Sequence, residues 1–309
     1  MRLIKAGIVA GVSNTAGYET IAKVLGEPEL LEICTPVVFG SQNSAIQTTK
    51  TVQTEQSVTF NFIKTANDAA DGRINLVDGF ESEEDSLSAA ITAYMNNCID
   101  VIVIAPSSLN IGEFVAKAIE AENNEVFNWK VNGNVRLLSC DLSTTTPEEQ
   151  SAVIQRINNS LRRDYTLIKP RTAIVSKQED MRKLAVSLRA IGVFTFGPFD
   201  AEKFVSEDLF SHYDACIFDN EAKASSRMFE KLDPEKTIGY VSGLPMVLTY
   251  ILENNESSVQ CMKEAIYSAI DIHRARIAYR RATHSPLEKQ WIPRGRDDFK
   301  LDLTKEETE

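Results

Sequence analysis

Five hydroxyl and amide side chains stand directly after two predicted β-strands of this 309-residue chain. Ser13 and Asn14 lie in a loop that opens a helix, and Ser107, Ser108 and Asn110 follow the most hydrophobic strand. Open α/β sheets bind ligands at the carboxyl ends of their strands, and a loop that opens a helix directs backbone N–H groups toward an anion. We therefore predict that these side chains contact a ligand. Capping of the helices that follow them is the alternative role of the same residues.

Two aspartates, Asp141 and Asp219, mark further strand ends. Asp141 belongs to a Ser/Thr-rich segment after a predicted strand, and Asp219 directly follows the apolar run 215–218. Carboxylate oxygens are ligands for Mg²⁺ or Ca²⁺ rather than for zinc, so Asp141 and Asp219 are the candidate metal ligands of this chain. An aspartate beside serine and threonine also satisfies loop and cap hydrogen bonds, and the sequence leaves both roles open.

Histidine, which is the commonest metal ligand and general base, is scarce. The chain contains only His212, His273 and His284, and they are not clustered. None belongs to an H-E-x-x-H motif or to a spacing typical of Ser–His–Asp or Cys–His catalysis. His212 precedes a strand, His273 lies within a long predicted helix and His284 follows that helix. We predict surface or helix-end positions for the histidines, and we assign no catalytic residue.

Short apolar runs alternate with helical patterns along the chain. The strands and helices that they predict must position these side chains. The runs are typical of strands buried on both faces of a parallel sheet; they are residues 6–10, 36–40, 101–105, 172–175 and 215–218. The helical patterns cover residues 18–25, 86–97, 147–163 and 179–191. This alternation predicts doubly wound α/β layers. Asn132-Gly133 between two runs with β character predicts a hairpin, and we place a change of domain near it.

A long helix is predicted over residues 257–282, and four arginines occupy its C-terminal end. They are Arg274, Arg276, Arg280 and Arg281. Cations at this end complement the helix dipole. We interpret these arginines as solvated charges, with a phosphate or partner site as the alternative.

The formal net charge of −11 argues against several classes of partner. Sequence-independent binding to nucleic acid needs lysine and arginine on the phosphates, and anionic membrane surfaces attract basic segments. No apolar run approaches the ~20 residues that span a bilayer, and residues 1–7 lack the apolar core of a signal peptide. Five scattered cysteines without a C-x-x-C pair are typical of buried thiols in a reducing compartment. We predict a cytoplasmic protein that binds neither nucleic acid nor membrane.

Several short segments occur in an order that is similar to the order in one known family. They are Gly11, Asn14, Gly17, Tyr18 and Glu19 in the opening loop, followed by residues 28–40, 100–106, 162–165, 169–171, 197–198, 213–215, 243–245, 265–272 and 301–305. In this order the chain resembles the PdxA family, the NAD-dependent 4-hydroxythreonine-4-phosphate dehydrogenases of pyridoxal phosphate biosynthesis. The resemblance covers nearly the whole length.

The resemblance implies a fold and a set of partners. The expected fold has two α/β/α domains of the isocitrate-dehydrogenase-like type with a cleft between them. Residues 1–130 and 265–309 would form the first domain, and residues 131–264 would form the second domain, which carries the dimer contact. The resemblance also implies a homodimer, a small phosphorylated ligand, NAD and a divalent metal ion. Residues 11–19, however, lack the G-x-G-x-x-G fingerprint of dinucleotide binding.

The chain departs from the family pattern at the residues that carry the chemistry. A ligand-binding lysine that the family has after Ala-Pro is replaced within residues 107–109, and a His-Thr-Glu element has no counterpart. The family has three metal-binding histidines. The first is replaced by Asp141, the second falls in a deletion at residues 175–178, and the third is replaced near Asp219.

These departures determine the predicted function. Oxidation of an alcohol by hydride transfer needs a Lewis acid or a base to take up charge on oxygen, and loss of one electrostatic stabiliser costs ~10²–10³ in rate. We therefore predict a degenerate PdxA paralogue, a pseudoenzyme that acts as a binding or regulatory protein and to which we assign no cofactor. The alternative is an active NAD-dependent oxidoreductase on 4-phosphooxy-threonine or a related phosphorylated hydroxy acid, with carboxylates such as Asp141 and Asp219 in its site.

Overall fold

A computed structural model describes most of the chain. The described residues are 2–11, 15–51, 58–106, 111, 114, 126–140, 142, 146–219, 227–228, 230–252 and 258–284. In this part of the chain, strands alternate with helices, and twelve strands form one sheet. The α/β class that the apolar runs predict is therefore confirmed.

The strands fall into two blocks that share the sheet. Along the chain they are β1 (Ile4–Gly11), β2 (Cys34–Gly40), β3 (Phe60–Ile63), β4 (Ile74–Val77), β5 (Val101–Ile104), β6 (Phe127–Asn132), β7 (Val135–Cys140), β8 (Thr172–Val175), β9 (Thr195–Phe199), β10 (Ala215–Asp219), β11 (Thr237–Ser242) and β12 (Leu248–Ile251). Their order in the sheet is β3-β4-β2-β1-β5-β12-β11-β6-β7-β10-β8-β9. The first block, from β3 to β12 in this order, is entirely parallel. The second block, from β11 to β9, contains the antiparallel strand β6, and the blocks meet where β12 pairs antiparallel with β11.

The helices confirm the patterns predicted from the sequence. They are α1 (Thr15–Leu25), α2 (Pro28–Ile33), α3 (Gln42–Thr51), α4 (Glu83–Met95), α5 (Pro147–Tyr165), α6 (Asp180–Ala190), α7 (Ala201–Ser206) and α8 (Val259–His284). Helix α5 begins with a capping box, in which Thr146 and Glu149 exchange hydrogen bonds with each other's backbone N–H groups. None of the helices within the described ranges is long and apolar enough to cross a lipid bilayer.

The predicted hairpin is also confirmed. Strands β6 and β7 pair antiparallel from Asn132 and Val135 outward. Gly133 has φ +55°, which is the left-handed conformation that a tight hairpin turn requires and that glycine adopts without strain.

The core forms layers on both faces of the sheet, because alternate residues of a strand point to opposite faces. On one face, a single buried cluster runs through both blocks and includes Ile8, Val103, Ile217 and Tyr240. Helices α1, α5, α6 and α8 contribute to this cluster. The other face has two separate clusters: α4 contributes to one, which lies mainly in the first block and includes Val241 of β11, and α7 contributes to the other, which lies in the second block. The result is an α/β/α arrangement.

One buried arginine connects the second block with the segment between β11 and β12. Arg276 in α8 is 8% exposed, so the prediction that it is solvated is wrong. Its Nε donates to Oδ1 of Asp164 in α5 at 2.7 Å, and its Nη2 donates to the hydroxyl of Tyr240 in β11 at 3.1 Å. Its Nη1 donates to the backbone carbonyl oxygens of residues 244–246 at 3.3, 3.0 and 2.9 Å. Each nitrogen of the guanidinium thus has a partner in the interior.

Asp164 balances the charge of this arginine and of a second one. Arg163 donates to both oxygens of Asp164, at 2.7 and 3.0 Å, and the Tyr240 hydroxyl donates to Oδ2 at 2.5 Å. Burial alone would raise the pKa of Asp164, but the hydrogen bond from Arg163 and the charge of Arg276 outweigh burial, and the pKa is lowered. Burial and the charge of Asp164 raise the pKa of Tyr240 well above its usual value, so its hydroxyl remains a donor. We call Arg163, Asp164, Tyr240 and Arg276 the arginine clasp.

Candidate functional site

The carboxyl ends of β7, β8 and β10 lie side by side at one edge of the sheet. In the parallel ladders, Asp219 pairs with Cys140, and Phe218 pairs with Val175. The residues that follow these strands are therefore neighbours. This is the edge at which an open α/β sheet binds its ligands.

All five predicted ligand-contact residues and one of the two candidate metal ligands lie outside the described residues. They are Ser13, Asn14, Ser107, Ser108, Asn110 and the candidate metal ligand Asp141. Their roles stay predictions. Asp219 is described, and the geometry of the edge is built around it.

Asp219 is the last residue of β10 and is 6% exposed. Its Oδ1 accepts a hydrogen bond from the backbone N–H of Leu142 at 3.1 Å, and its Oδ2 accepts one from the hydroxyl of Ser176 at 2.9 Å. The carboxylate thus connects the segments that follow β7 and β8 to the end of β10. Of the two roles that the sequence left open for Asp219, this geometry supports the ordering of loops.

Two further residues complete this arrangement, and sequence reasoning singled out neither of them. Ser176 is 5% exposed, and its Oγ also accepts a hydrogen bond from the backbone N–H of Gln178 at 3.1 Å. The side-chain amide of Gln150 in α5 donates to the carbonyl oxygen of Leu142 at 2.7 Å. A hydroxyl directly after an apolar run is a signal that could have identified Ser176, whereas nothing in the pattern of α5 marks Gln150. We call Asp219, Ser176, Leu142 and Gln150 the carboxylate junction.

The described residues of the carboxylate junction do not fit a divalent metal ion. Each oxygen of Asp219 accepts a hydrogen bond, and the side chain that follows β8 is a hydroxyl rather than an imidazole or a carboxylate. In the ranges that the structure describes, no three His, Cys, Asp or Glu side chains are grouped so that they could hold a metal ion. Asp141 lies outside those ranges, and its assignment as a metal ligand stays a prediction.

Two of the described histidines, His212 and His273, lie toward the amino ends of strands. His212 ends a 3₁₀ helix (Leu209–His212) that precedes β10, and it is exposed, as predicted. His273 in α8 is half-buried near Asp100, the residue before β5. His284 is the last residue of α8. His212 therefore lies at the sheet edge opposite to Asp219. Because β5 runs antiparallel to β10, His273 lies at the same edge of the sheet as Asp219, but in the first block.

A cavity of about 510 Å³ opens at the carboxyl ends of β8 and β9. Its lining residues are Ser176, Lys177, Glu179, Asp180, Arg182, Lys183, Pro198 and Asp200. Asp200 caps α7 by accepting a hydrogen bond from the backbone N–H of Lys203 at 3.0 Å. The volume is in the range of small-molecule sites, and side chains of both charge signs suit a polar ligand. The sequence did not predict this cavity.

No family model matches the sequence. A curated relative, the 4-hydroxythreonine-4-phosphate dehydrogenase of Bacteroides thetaiotaomicron, is 25% identical in an alignment that covers 97% of each chain. The resemblance to the PdxA family that the sequence motifs indicate is therefore confirmed.

Solved structures share the fold at low sequence identity. The 4-hydroxythreonine-4-phosphate dehydrogenase of Klebsiella pneumoniae has a TM-score of 0.63 at 16% identity, covering 87% of this chain and 100% of that chain. The enzyme of the same name from Burkholderia phymatum has a TM-score of 0.62 at 15% identity, covering 88% and 99%. A branched-chain phosphotransacylase from Enterococcus faecalis has a TM-score of 0.53 at 12% identity, covering 88% and 99%. The fold thus accommodates more than one reaction.

Replacement of Asp219 tests the carboxylate junction. Asp219→Ala is expected to lower the free energy of unfolding by about 1–3 kcal/mol, because it leaves the N–H of Leu142 and the hydroxyl of Ser176 without their acceptor. Urea denaturation measures this loss. Asp180→Ala, at an aspartate whose side chain is 90% exposed, is the matched control and should change stability by less than about 0.5 kcal/mol. Equal stability of the two variants would contradict the role assigned to Asp219.

The environment of His273 predicts a dependence of stability on pH. Burial lowers the pKa of His273; Asp100 opposes this effect, and Arg276 and Arg280 reinforce it. The unfolded chain therefore binds this proton more readily than the folded protein, so the free energy of unfolding should fall as the pH drops below about 6.5, the usual imidazole pKa.

Chemical denaturation at about pH 5.5 and about pH 7.5, on either side of the usual imidazole pKa, measures this effect. His273→Gln, which cannot titrate, should lose less stability between the two pH values than the parent. An identical loss in both proteins would exclude His273 as the source.

Proposed function

We propose that this relative of the PdxA family does not carry out a metal-dependent dehydrogenase reaction and acts as a binding or regulatory protein. The observation that carries the proposal is the environment of Asp219, which lies in the segment 218–221 where, by the resemblance, the third metal-binding histidine of the family is replaced. Its two oxygens accept hydrogen bonds from Leu142 and Ser176, so the carboxylate orders loops. The match to the curated relative over 97% of both chains supports retention of the scaffold.

The chemistry of the reaction explains why these replacements matter. Hydride transfer from an alcohol leaves negative charge on its oxygen, and a divalent ion supplies the Lewis acid that stabilises this charge. The hydroxyl of Ser176 and the engaged carboxylate of Asp219 are not equivalent to that ion. Loss of one electrostatic stabiliser lowers a rate by ~10²–10³. In this chain the family pattern is altered at three ligand positions and at the lysine.

The ligand in this proposal is a small phosphorylated molecule at the carboxyl ends of β1 and β5. Ser13 and Asn14 follow β1, whereas Ser107, Ser108 and Asn110 follow β5. Strands β1 and β5 are parallel neighbours, so their carboxyl ends adjoin. Hydroxyl and amide groups at the start of a helix suit a phosphate. A cytoplasmic homodimer with two-domain subunits is part of the same proposal.

The second candidate is an active NAD-dependent oxidoreductase on 4-phosphooxy-threonine or a related phosphorylated hydroxy acid. The dehydrogenase name of the curated relative, at 25% identity, favours it. Asp141 and Asp219 would then hold the metal ion. For that, Asp219 would have to exchange its hydrogen bonds to Leu142 and Ser176 for the ion.

An assay of NADH formation from 4-phosphooxy-threonine separates the two candidates. We expect no NADH above the protein-free rate with Mg²⁺, Mn²⁺ or Zn²⁺, because the ligands that would place the ion at the alcohol are replaced. The Bacteroides thetaiotaomicron relative, assayed in parallel, is the positive control. Metal-dependent NADH formation that Asp219→Ala abolishes would establish the second candidate instead.

Thermal denaturation with added 4-phosphooxy-threonine in the same preparations tests for binding. A ligand that binds only the folded state raises the melting temperature with concentration. Ser108→Ala should reduce this rise. Ser211→Ala, at an exposed serine near the amino end of β10, is the control. No rise at millimolar ligand would exclude this phosphorylated hydroxy acid as the ligand.

A further inference from the structure

In the order of the described strands, the chain passes between the two blocks of the sheet twice, and residues 243–247 form the crossing that the structure describes in full. This crossing joins β11 of the second block to β12 of the first block. It begins at Gly243, which has φ +91°, a conformation that side-chain-bearing residues rarely adopt. A short segment that starts with such a glycine can absorb a change in backbone direction.

Two side chains hold this crossing in place. Nη1 of Arg276 donates to the carbonyl oxygens of residues 244–246 at 3.3, 3.0 and 2.9 Å. The hydroxyl of Tyr94 in α4, a helix that packs on the first block, donates to the carbonyl oxygen of Pro245 at 3.0 Å. Through Asp164 and Tyr240, Arg276 is also bonded to α5 and β11 of the second block. One guanidinium therefore connects the crossing with the second block.

The strand ladder between the blocks does not fix their relative angle by itself. Strands β11 and β12 pair through four residues, from Ile238 with Ile251 to Val241 with Leu248. The twist between adjacent strands of a sheet ranges from roughly −10 to −35°, so a single short ladder is compatible with a range of angles. Contacts in the helix layer must select one of them.

We propose that residues 243–247 form a hinge between the two blocks and that the arginine clasp holds this hinge at one angle. Arginine suits this function, because the N–H donors of its planar guanidinium group hold several acceptors in one geometry. A buried ion pair is weak evidence for stability, since apolar residues of the same volume can stabilise equally well. The clasp therefore sets the angle between the two blocks rather than adding to the free energy of unfolding. The inference concerns the scaffold and does not depend on the proposed function.

Distance measurements between two spin labels test this proposal. The labels are placed at Ser88→Cys in α4 and Lys183→Cys in α6, which are exposed positions on different blocks. Cys98 and Cys140, the partly exposed native thiols, are replaced by serine in all proteins. The buried thiols stay; burial raises the pKa of Cys34 and of Cys216 to about 12, which keeps them unreactive.

The clasp variants are Arg276→Leu, which removes the hydrogen bonds of the guanidinium to the crossing and leaves the one from Tyr94, and Tyr240→Phe, which removes one hydroxyl. We expect the distribution of label-to-label distances to be roughly twofold wider in both variants, because the hinge is then free to sample several angles. Arg171→Gln is the matched control. It removes an exposed pair with Asp214 at 3.4 Å within the second block and should leave the distribution unchanged.

A distribution as narrow as the parent's in the folded clasp variants would overturn the proposal, and so would equal widening in Arg171→Gln. Circular dichroism establishes that each protein is folded. If Arg276→Leu does not fold, Tyr240→Phe decides the outcome, because it retains the ring in the core and loses only the bonds to Asp164 and Arg276.

Discussion

The carboxylate of Asp164, shared between the guanidinium groups of Arg163 and Arg276, is the interaction on which the arrangement of the two blocks depends. Transfer of these charges from water into the protein interior costs free energy. The buried ion pairs are retained because each nitrogen of Arg276 donates a hydrogen bond. Removal of one member of such a buried pair costs about 3–5 kcal/mol, since the other charge is then left without compensation. Helices α5 and α8, strand β11 and the crossing to β12 meet at this point.

Asp219 is a buried carboxylate of a different kind. The described donors to Asp164 include two arginines, whereas the described donors to Asp219 are a backbone N–H and a hydroxyl. Asp219 draws together the ends of three parallel strands through these neutral groups. In a site with several imidazole ligands, a metal ion would perform this task. The end of β10 is thus ordered by hydrogen bonds, close to the segment where the resemblance places a metal ligand of the family.

Short-range sequence patterns were sufficient to predict part of the fold but little of the candidate site. The apolar run of β5 and the Asn132-Gly133 turn each depend on neighbouring residues, and both were predicted correctly. Strands β3, β4 and β12 are as short as β5, but a polar residue (Asn61, Asn75 and Thr249, respectively) interrupts each of their apolar runs. Arg276 was misinterpreted because its partners Asp164 and Tyr240 lie 112 and 36 residues away. Asp219 was identified by its place after a strand, but its hydrogen bonds depend on the packing of three strands.

The buried cluster that runs through both blocks on one face has a thermodynamic consequence. Ile8 in the first block and Ile217 in the second belong to the same apolar cluster. If one block unfolded, the apolar side chains that the other block contributes to this cluster would be exposed to water. Denaturation should be a single cooperative event. A fragment that contains only one block would expose this surface and tend to aggregate. New specificities in such a chain are therefore more readily acquired through the segments after its strands than through the exchange of one block.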